Sequence, residues 1–161
     1  MSIDNRAKGI QRLFAQNATD FGFRKTKKAW IYSERIADDH FLFLELIKPR
    51  WGGGYQPWIK IFVSGVFDRH YSNLTEVPSQ MPTAWRVEQA SEFSDLFDSE
   101  TPLENEARGG GIRRYFEEIA SPMIDALQEN NGIQKLLKVG LVGITPPIRA
   151  ELERLQLWKN D

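Results

Sequence analysis

The chain has no cysteine among its 161 residues. Disulfides, thiolate metal sites and cysteine nucleophiles are thereby excluded, and the absence fits a reducing compartment. Histidine is nearly as scarce. His40 and His70 are the only two, and neither sits in H-E-x-x-H or a comparable ligand spacing. Both are expected as surface turn residues, with no metal and no cofactor. No run approaches the roughly 18 consecutive apolar residues that cross a bilayer. The opening M-S-I-D-N-R-A-K-G-I carries an early acid and no apolar stretch of the secretory-signal kind. The expectation is a cytoplasmic chain with no membrane partner. Neither sign of charge dominates, since 21 Lys plus Arg against 22 Asp plus Glu leaves a net charge of −1. A chain so balanced has no global attraction for nucleic acid or anionic lipid.

What is present describes a globular chain. Hydrophobic residues make up 41% and charged residues 27%, enough to bury a core in one domain spanning 1–161 without a covalent staple. Residues 3–20 read as an amphipathic helix, with Ile3, Ala7, Ile10, Leu13, Phe14 and Ala18 at three- and four-residue spacing. Ser2 is its expected N-cap, and Gly22 ends the helical region. Three strands follow, at about Ala29 to Arg35, His40 to Lys48 and Pro57 to Phe67, with a weaker fourth at Thr83 to Gln89. Past residue 90 the period returns to that of a helix. One is expected from about Gly111 to Glu129 with a bend at Pro122, and a short one at Ile133 to Val139. A last helix opens on Thr145 and Pro146. Short links between strands favour antiparallel pairing. The fold class is therefore α+β: an antiparallel meander of about four strands, an N-terminal helix and two or three C-terminal helices.

The segment from Phe21 to Phe67 is apolar on both alternating faces, whereas a strand with one side in water shows one polar face. Leu42, Leu44 and Leu46 share a face, as do Ile59, Ile61, Val63 and Phe67. Phe41, Phe43, Glu45 and Ile47 point the other way, as do Trp58, Lys60, Phe62, Ser64 and Val66. Trp30 and Tyr32 join this aromatic set from the first strand. Two readings of the aromatic face stay open. Helices cover it as a second core layer, or it forms a surface that binds a partner or a small ligand.

Other patterns carry less chemistry. The basic run Arg24, Lys25, Thr26, Lys27, Lys28, close to Trp30 and Tyr32, has the look of a nucleic-acid surface. A solvated turn that protects a strand edge is the preferred reading, since the net charge is not positive and no nucleic-acid motif accompanies the run. Arg50-Trp51-Gly52-Gly53-Gly54-Tyr55 leads into a strand and so reads as a hairpin connection rather than a phosphate loop. Arg108-Gly109-Gly110-Gly111 is expected at a helix entry, where backbone N–H groups attract anions. There is no G-x-S-x-G elbow. Glu117 and Glu118, adjacent on a helix, point about 100° apart and make no acid–base pair.

The order of landmarks F-G-F-R-K-T-K-K-A-W-I-Y, L-I-K-P-R-W-G, I-K-I-F-V-S-G-V-F and A-W-R-V-E-Q resembles a bacterial domain-of-unknown-function family, the one numbered four thousand three hundred and four. The resemblance spans about residues 10–155. This chain has Lys48-Pro49-Arg50 where the family favours Lys-Ser-Arg. Its Trp85-Arg86-Val87-Glu88 lacks the family's second arginine. The resemblance implies a shared α+β fold and a bacterial origin, with no activity to transfer.

These observations lead to an expected non-catalytic binding or interaction domain, of an immunity- or antitoxin-like kind, with another protein as partner. An alternative is a small-ligand-binding protein or enzyme with its site beside the aromatic face. The candidate binding residues are Glu45, Arg50, Trp51, Trp58, Lys60 and Arg86. Nucleic-acid binding through Arg24 to Lys28 is a third reading.

Overall fold

The computed structural model describes residues 1–50, 54–71, 82–87 and 92–160. Helix α1 runs over Ile3–Asp20, and the Ser2 side chain accepts from the Asn5 N–H at 3.3 Å, as an N-cap should. Its end is a Schellman turn. Gly22 N–H donates to Thr19 O at 3.1 Å and Phe23 N–H to Ala18 O at 2.9 Å, with Gly22 at φ 91°.

The chain then forms a five-stranded antiparallel meander in sequence order: β1 (Arg24–Lys25), β2 (Ile31–Arg35), β3 (His40–Ile47), β4 (Gln56–Val63) and β5 (Ala84–Val87). The extra strand is the start of the basic run. Both its residues are exposed at the sheet edge, where cationic side chains discourage pairing with another chain. The third expected strand stops early, at Val63. Gly65 (φ 96°), Phe67 (φ 52°) and Asp68 (φ 55°) turn the backbone through left-handed conformations, which end an extended strand. Phe67 consequently leaves the Ile59–Val63 face and is 52% exposed, while Val66 enters the main core.

Helices α2 (Ser94–Phe97), α3 (Asn105–Tyr115), α4 (Ser121–Leu127), α5 (Gly132–Lys138) and α6 (Pro146–Arg154) complete the described elements. Between α3 and α4 the helix widens to a π turn over Phe116–Ala120. Pro122 has no N–H and its ring clashes with the carbonyl four residues back, so the wider turn carries the chain past it.

The three glycines at 109–111 lie inside α3 rather than at its entry. Interior glycine costs a helix roughly 0.5–1 kcal/mol relative to alanine. Two of these positions sit against neighbouring helices. A Cβ on Gly109 would touch Leu13 of α1 at 3.6 Å, and one on Gly111 would collide with Leu96 of α2. An anion site at Arg108, the lesser of the two sequence readings beside a plain helix entry, is not formed either. Arg108 is 2% exposed and its guanidinium donates to the carbonyls of Leu96, Asp98 (3.2 Å) and Thr101 (2.7 Å). It ties the unsatisfied C-terminal carbonyls of α2 to α3.

The core lies between the sheet and the helices. Ile10, Phe14 and Ala18 of α1 and Ile112, Phe116, Ala120 and Met123 of the α3–α4 helix pack with Leu42, Leu44, Leu46, Ile59, Ile61 and Val63. Tyr32 belongs here and not to the aromatic face. The register sets it opposite Leu44, and its ring meets Phe14 edge-on at 5.8 Å between centroids. Trp30, at φ 64°, also packs against this core.

Candidate functional site

The second face of the sheet carries its own cluster of Ile31, Phe41, Phe43 and Phe62. Among the described residues Tyr71 packs on it, 5.2 Å from Phe62 in an edge-to-face pair. Arg35 lies over the Phe41 ring at 5.3 Å. Helices α1, α3 and α4, which pack with Leu42, Leu44 and Ile61, belong to the opposite face.

Alternation along β4 puts Trp58, Lys60 and Phe62 on this second face, and the register sets Trp85 of β5 directly beside Lys60. A cavity of about 450 Å³ opens over these four side chains. Its walls come from three places. Val66, Phe67 and Arg69 are supplied by the turn after β4, and Thr145 and Ile148 by the first turn of α6. Pro82 closes the side next to β5. Trp85 is steadied from behind by a two-bond bridge to Gly143, with N–H to O distances of 3.2 and 2.9 Å.

Lys60 is 8% exposed. Its ammonium pairs with the Glu45 carboxylate on β3 and lies 5.4 Å from the centre of the Trp58 ring. Two charges at an apolar face are costly to desolvate unless paired; these are paired with each other. The Trp58 indole N–H is buried and makes no hydrogen bond.

The turn on the cavity rim is held from α6. Glu151 accepts the Phe67 N–H at 2.7 Å, and Arg154 donates to Gly65 O at 2.7 Å and to Glu151 at 2.7 Å. The Arg154 contact, followed by the Phe67 N–H, holds the Glu151 carboxyl below its ordinary range. Left-handed backbone at a phenylalanine is strained, and this clamp is what fixes it. A Cβ on Gly65 would lie 3.2 Å from Leu155 of the segment after α6, so the turn and α6 approach closely there.

Of the residues singled out from the sequence, Glu45, Trp58 and Lys60 come together here. Arg86 does not join them. It stands on the helix-packed face, opposite Ile59, and donates to Leu141 O at 3.4 Å. Arg50 is exposed beyond the end of β3, and Trp51 lies outside the described residues. Trp85, Arg69, Thr145 and Ile148 were not singled out. The register pairing Trp85 with Lys60 could have indicated the first, but nothing local in the sequence links α6 to the sheet's second face.

The histidines also depart from expectation in part. His40 is buried at the start of β3, its Nδ1 2.7 Å from Asp39 Oδ1, while His70 is exposed. Ser64 Oγ lies 3.5 Å from His70 Nδ1. The acid therefore holds one histidine and the serine meets the other, so the four residues make no single relay. Glu117 and Glu118 are each paired with the arginine one turn earlier, Arg113 and Arg114, on the exposed face. Among the described residues no cluster of three His, Asp or Glu side chains could hold a metal ion, and no helix is long and apolar enough to cross a membrane.

Comparison with protein-family models, curated proteins and solved structures found no match to the chain.

Proposed function

We propose that this protein is a binding domain that holds a small, ring-bearing molecule in the cavity on the aromatic face of its sheet. The observation that carries the reading is the cavity itself. Its volume of about 450 Å³ lies within the range of small-molecule sites, roughly 300–1,000 Å³. It also has the composition of such sites, apolar and aromatic walls with a few convergent polar groups. A rigid floor of β4 and β5 and a clamped rim preform it, which lowers the ordering cost of binding.

A protein partner of the immunity or antitoxin kind calls for a contiguous exposed apolar patch. Among the described residues the exposed large apolar side chains are Met1 and Ile3 at the N-terminus, Val139 after α5, and Phe67. Phe67 stands on the cavity rim, which again favours the cavity. The family resemblance implies no activity and adds nothing to the choice.

The test is fluorescence titration with the neutral aromatic probe N-phenyl-1-naphthylamine. Saturable one-to-one binding is expected. Thr145→Phe fills the cavity at a position whose hydroxyl makes no capping bond, and should weaken that binding at least tenfold with the thermal midpoint kept. No saturable binding, or equal binding by Thr145→Phe, overturns the reading.

A further inference from the structure

The rings that line this cavity are not paired with one another. In the main core Phe14, Phe97, Tyr115 and Phe116 meet edge-on in a chain of contacts, the arrangement aromatic side chains favour. The lining of the cavity is different. Among the described residues Trp58, Phe67 and Trp85 pair with no other ring, and Phe62 pairs with Phe41 and Tyr71, which stand outside the lining. Trp58 and Trp85 are each only partly buried. Lys60 meets the Trp58 ring on one side, which leaves the other side to a guest.

The register sets the spacing of these rings. Trp85 stands directly opposite Lys60, so Trp58 and Phe62, two residues to either side of Lys60, are its diagonal neighbours. Diagonal neighbours on one sheet face are roughly 7–8 Å apart. A flat ring in van der Waals contact needs about 3.5–4 Å on each side. One aromatic thickness therefore fits between two such side chains, and a puckered saturated ring is too thick.

The charges at the cavity are already engaged. Lys60 is paired with Glu45, and Arg69 has its own partner within the protein. Helix α6 opens on Pro146 and Pro147, which have no N–H to offer an anion. The Thr145 hydroxyl makes no capping bond; it is neutral and can both donate and accept. A charged guest would lose its hydration here without gaining a counter-charge. We infer that the occupant is an uncharged, flat, fused-ring aromatic molecule. Its rings insert between Trp58 and Trp85, and a neutral polar substituent meets Thr145. This inference rests on the cavity being a ligand site and specifies what that site selects.

Calorimetric titration with four probes of one outline tests it. They are 2-naphthamide, its anionic isostere 2-naphthoate, its cationic isostere 2-naphthamidinium and the saturated decahydronaphthalene-2-carboxamide. 2-Naphthamide should bind at least tenfold more tightly than each of the others. In Trp58→Leu and in Trp85→Leu its affinity should fall at least tenfold, and its lead over the saturated amide should drop below threefold. Two variants are used because Trp85 also packs against the main core, and the comparison of probes on the wild-type protein needs neither. Equal or tighter binding of either charged probe overturns the neutral occupant. Equal binding of the saturated amide, or an unchanged lead in both variants, overturns the slot between the indoles. If 2-naphthamide fails to bind while N-phenyl-1-naphthylamine binds, this inference falls and the cavity stands as a site. Failure of both overturns the site as well.

Discussion

Lys60 reaches diagonally from β4 to the Glu45 carboxylate on β3, past the directly opposed partner of Glu45, which is Trp58. Their side chains are 10% and 14% exposed. A pair so placed holds its worth in being complete, because either charge alone would be stranded on an apolar face. Lys60→Met is expected to lower stability by about 3 kcal/mol, and the double replacement Glu45→Met/Lys60→Met to recover most of that loss. Urea midpoints of the wild type, both single variants and the double variant form the cycle that checks it. A single variant as stable as the wild type would show that the pair is not desolvated.

The clamp on the cavity rim should be visible in acid. The folded Glu151 carboxyl is depressed by Arg154 and the Phe67 N–H, so its stabilising share is full above the unfolded value of about 4.3. It is lost as pH falls through the lower folded value. The thermal midpoint difference between the wild type and Glu151→Gln should be constant from pH 7 to 5 and shrink below about pH 4. A difference independent of pH would contradict the assignment.

Arg108 serves as a cap built from a side chain. Burial pulls its guanidinium value down and neighbouring Arg6 adds to that, against the raising effect of Asp98; it stays charged. Arg108→Met should cost about 2–4 kcal/mol because several buried carbonyls lose their donors. Arg108→Lys should recover only part of this, since an ammonium cannot span the same fork. Denaturant unfolding gives the numbers, and an unchanged midpoint for Arg108→Met would refute the capping role.

Two glycines should respond oppositely to alanine. Gly110 faces open space, so Gly110→Ala should add about 0.5–1 kcal/mol through helix propensity. At Gly132 a Cβ would collide with the backbone carbonyl of Ala126, so Gly132→Ala should destabilise. Paired thermal melts decide it, and the same sign at both positions would count against the close approach of Gly132 to the Ala126 carbonyl.

How far the residues alone carry can be judged element by element. Helix α1, its Ser2 cap and its Gly22 stop follow from local spacing and local hydrogen bonding, and all three are found as expected. The antiparallel order of β2, β3 and β4 follows from short connections. The internal glycines of α3 went the other way. Read locally they suggest a loose entry, yet Leu13 and Leu96, distant in the chain, make small residues necessary there. Sequence neighbourhood groups Arg86 and Tyr32 with the aromatic face, and the register places both on the helix-packed face.

The sequence by itself determined the α+β class, the two apolar sheet faces and the set of residues, Glu45, Trp58 and Lys60, that interrupt or enrich the second one. These depend on side-chain periods of two and near 3.6, which are properties of short segments. Tertiary structure alone decided that α1, α3 and α4 gather on one face. It also decided that the left-handed turn at Phe67–Asp68 and the start of α6 fold over β4 to leave a cavity there. That choice depends on how residues some eighty positions apart, Phe67 and Glu151 among them, pair across space. No local period encodes such a pairing.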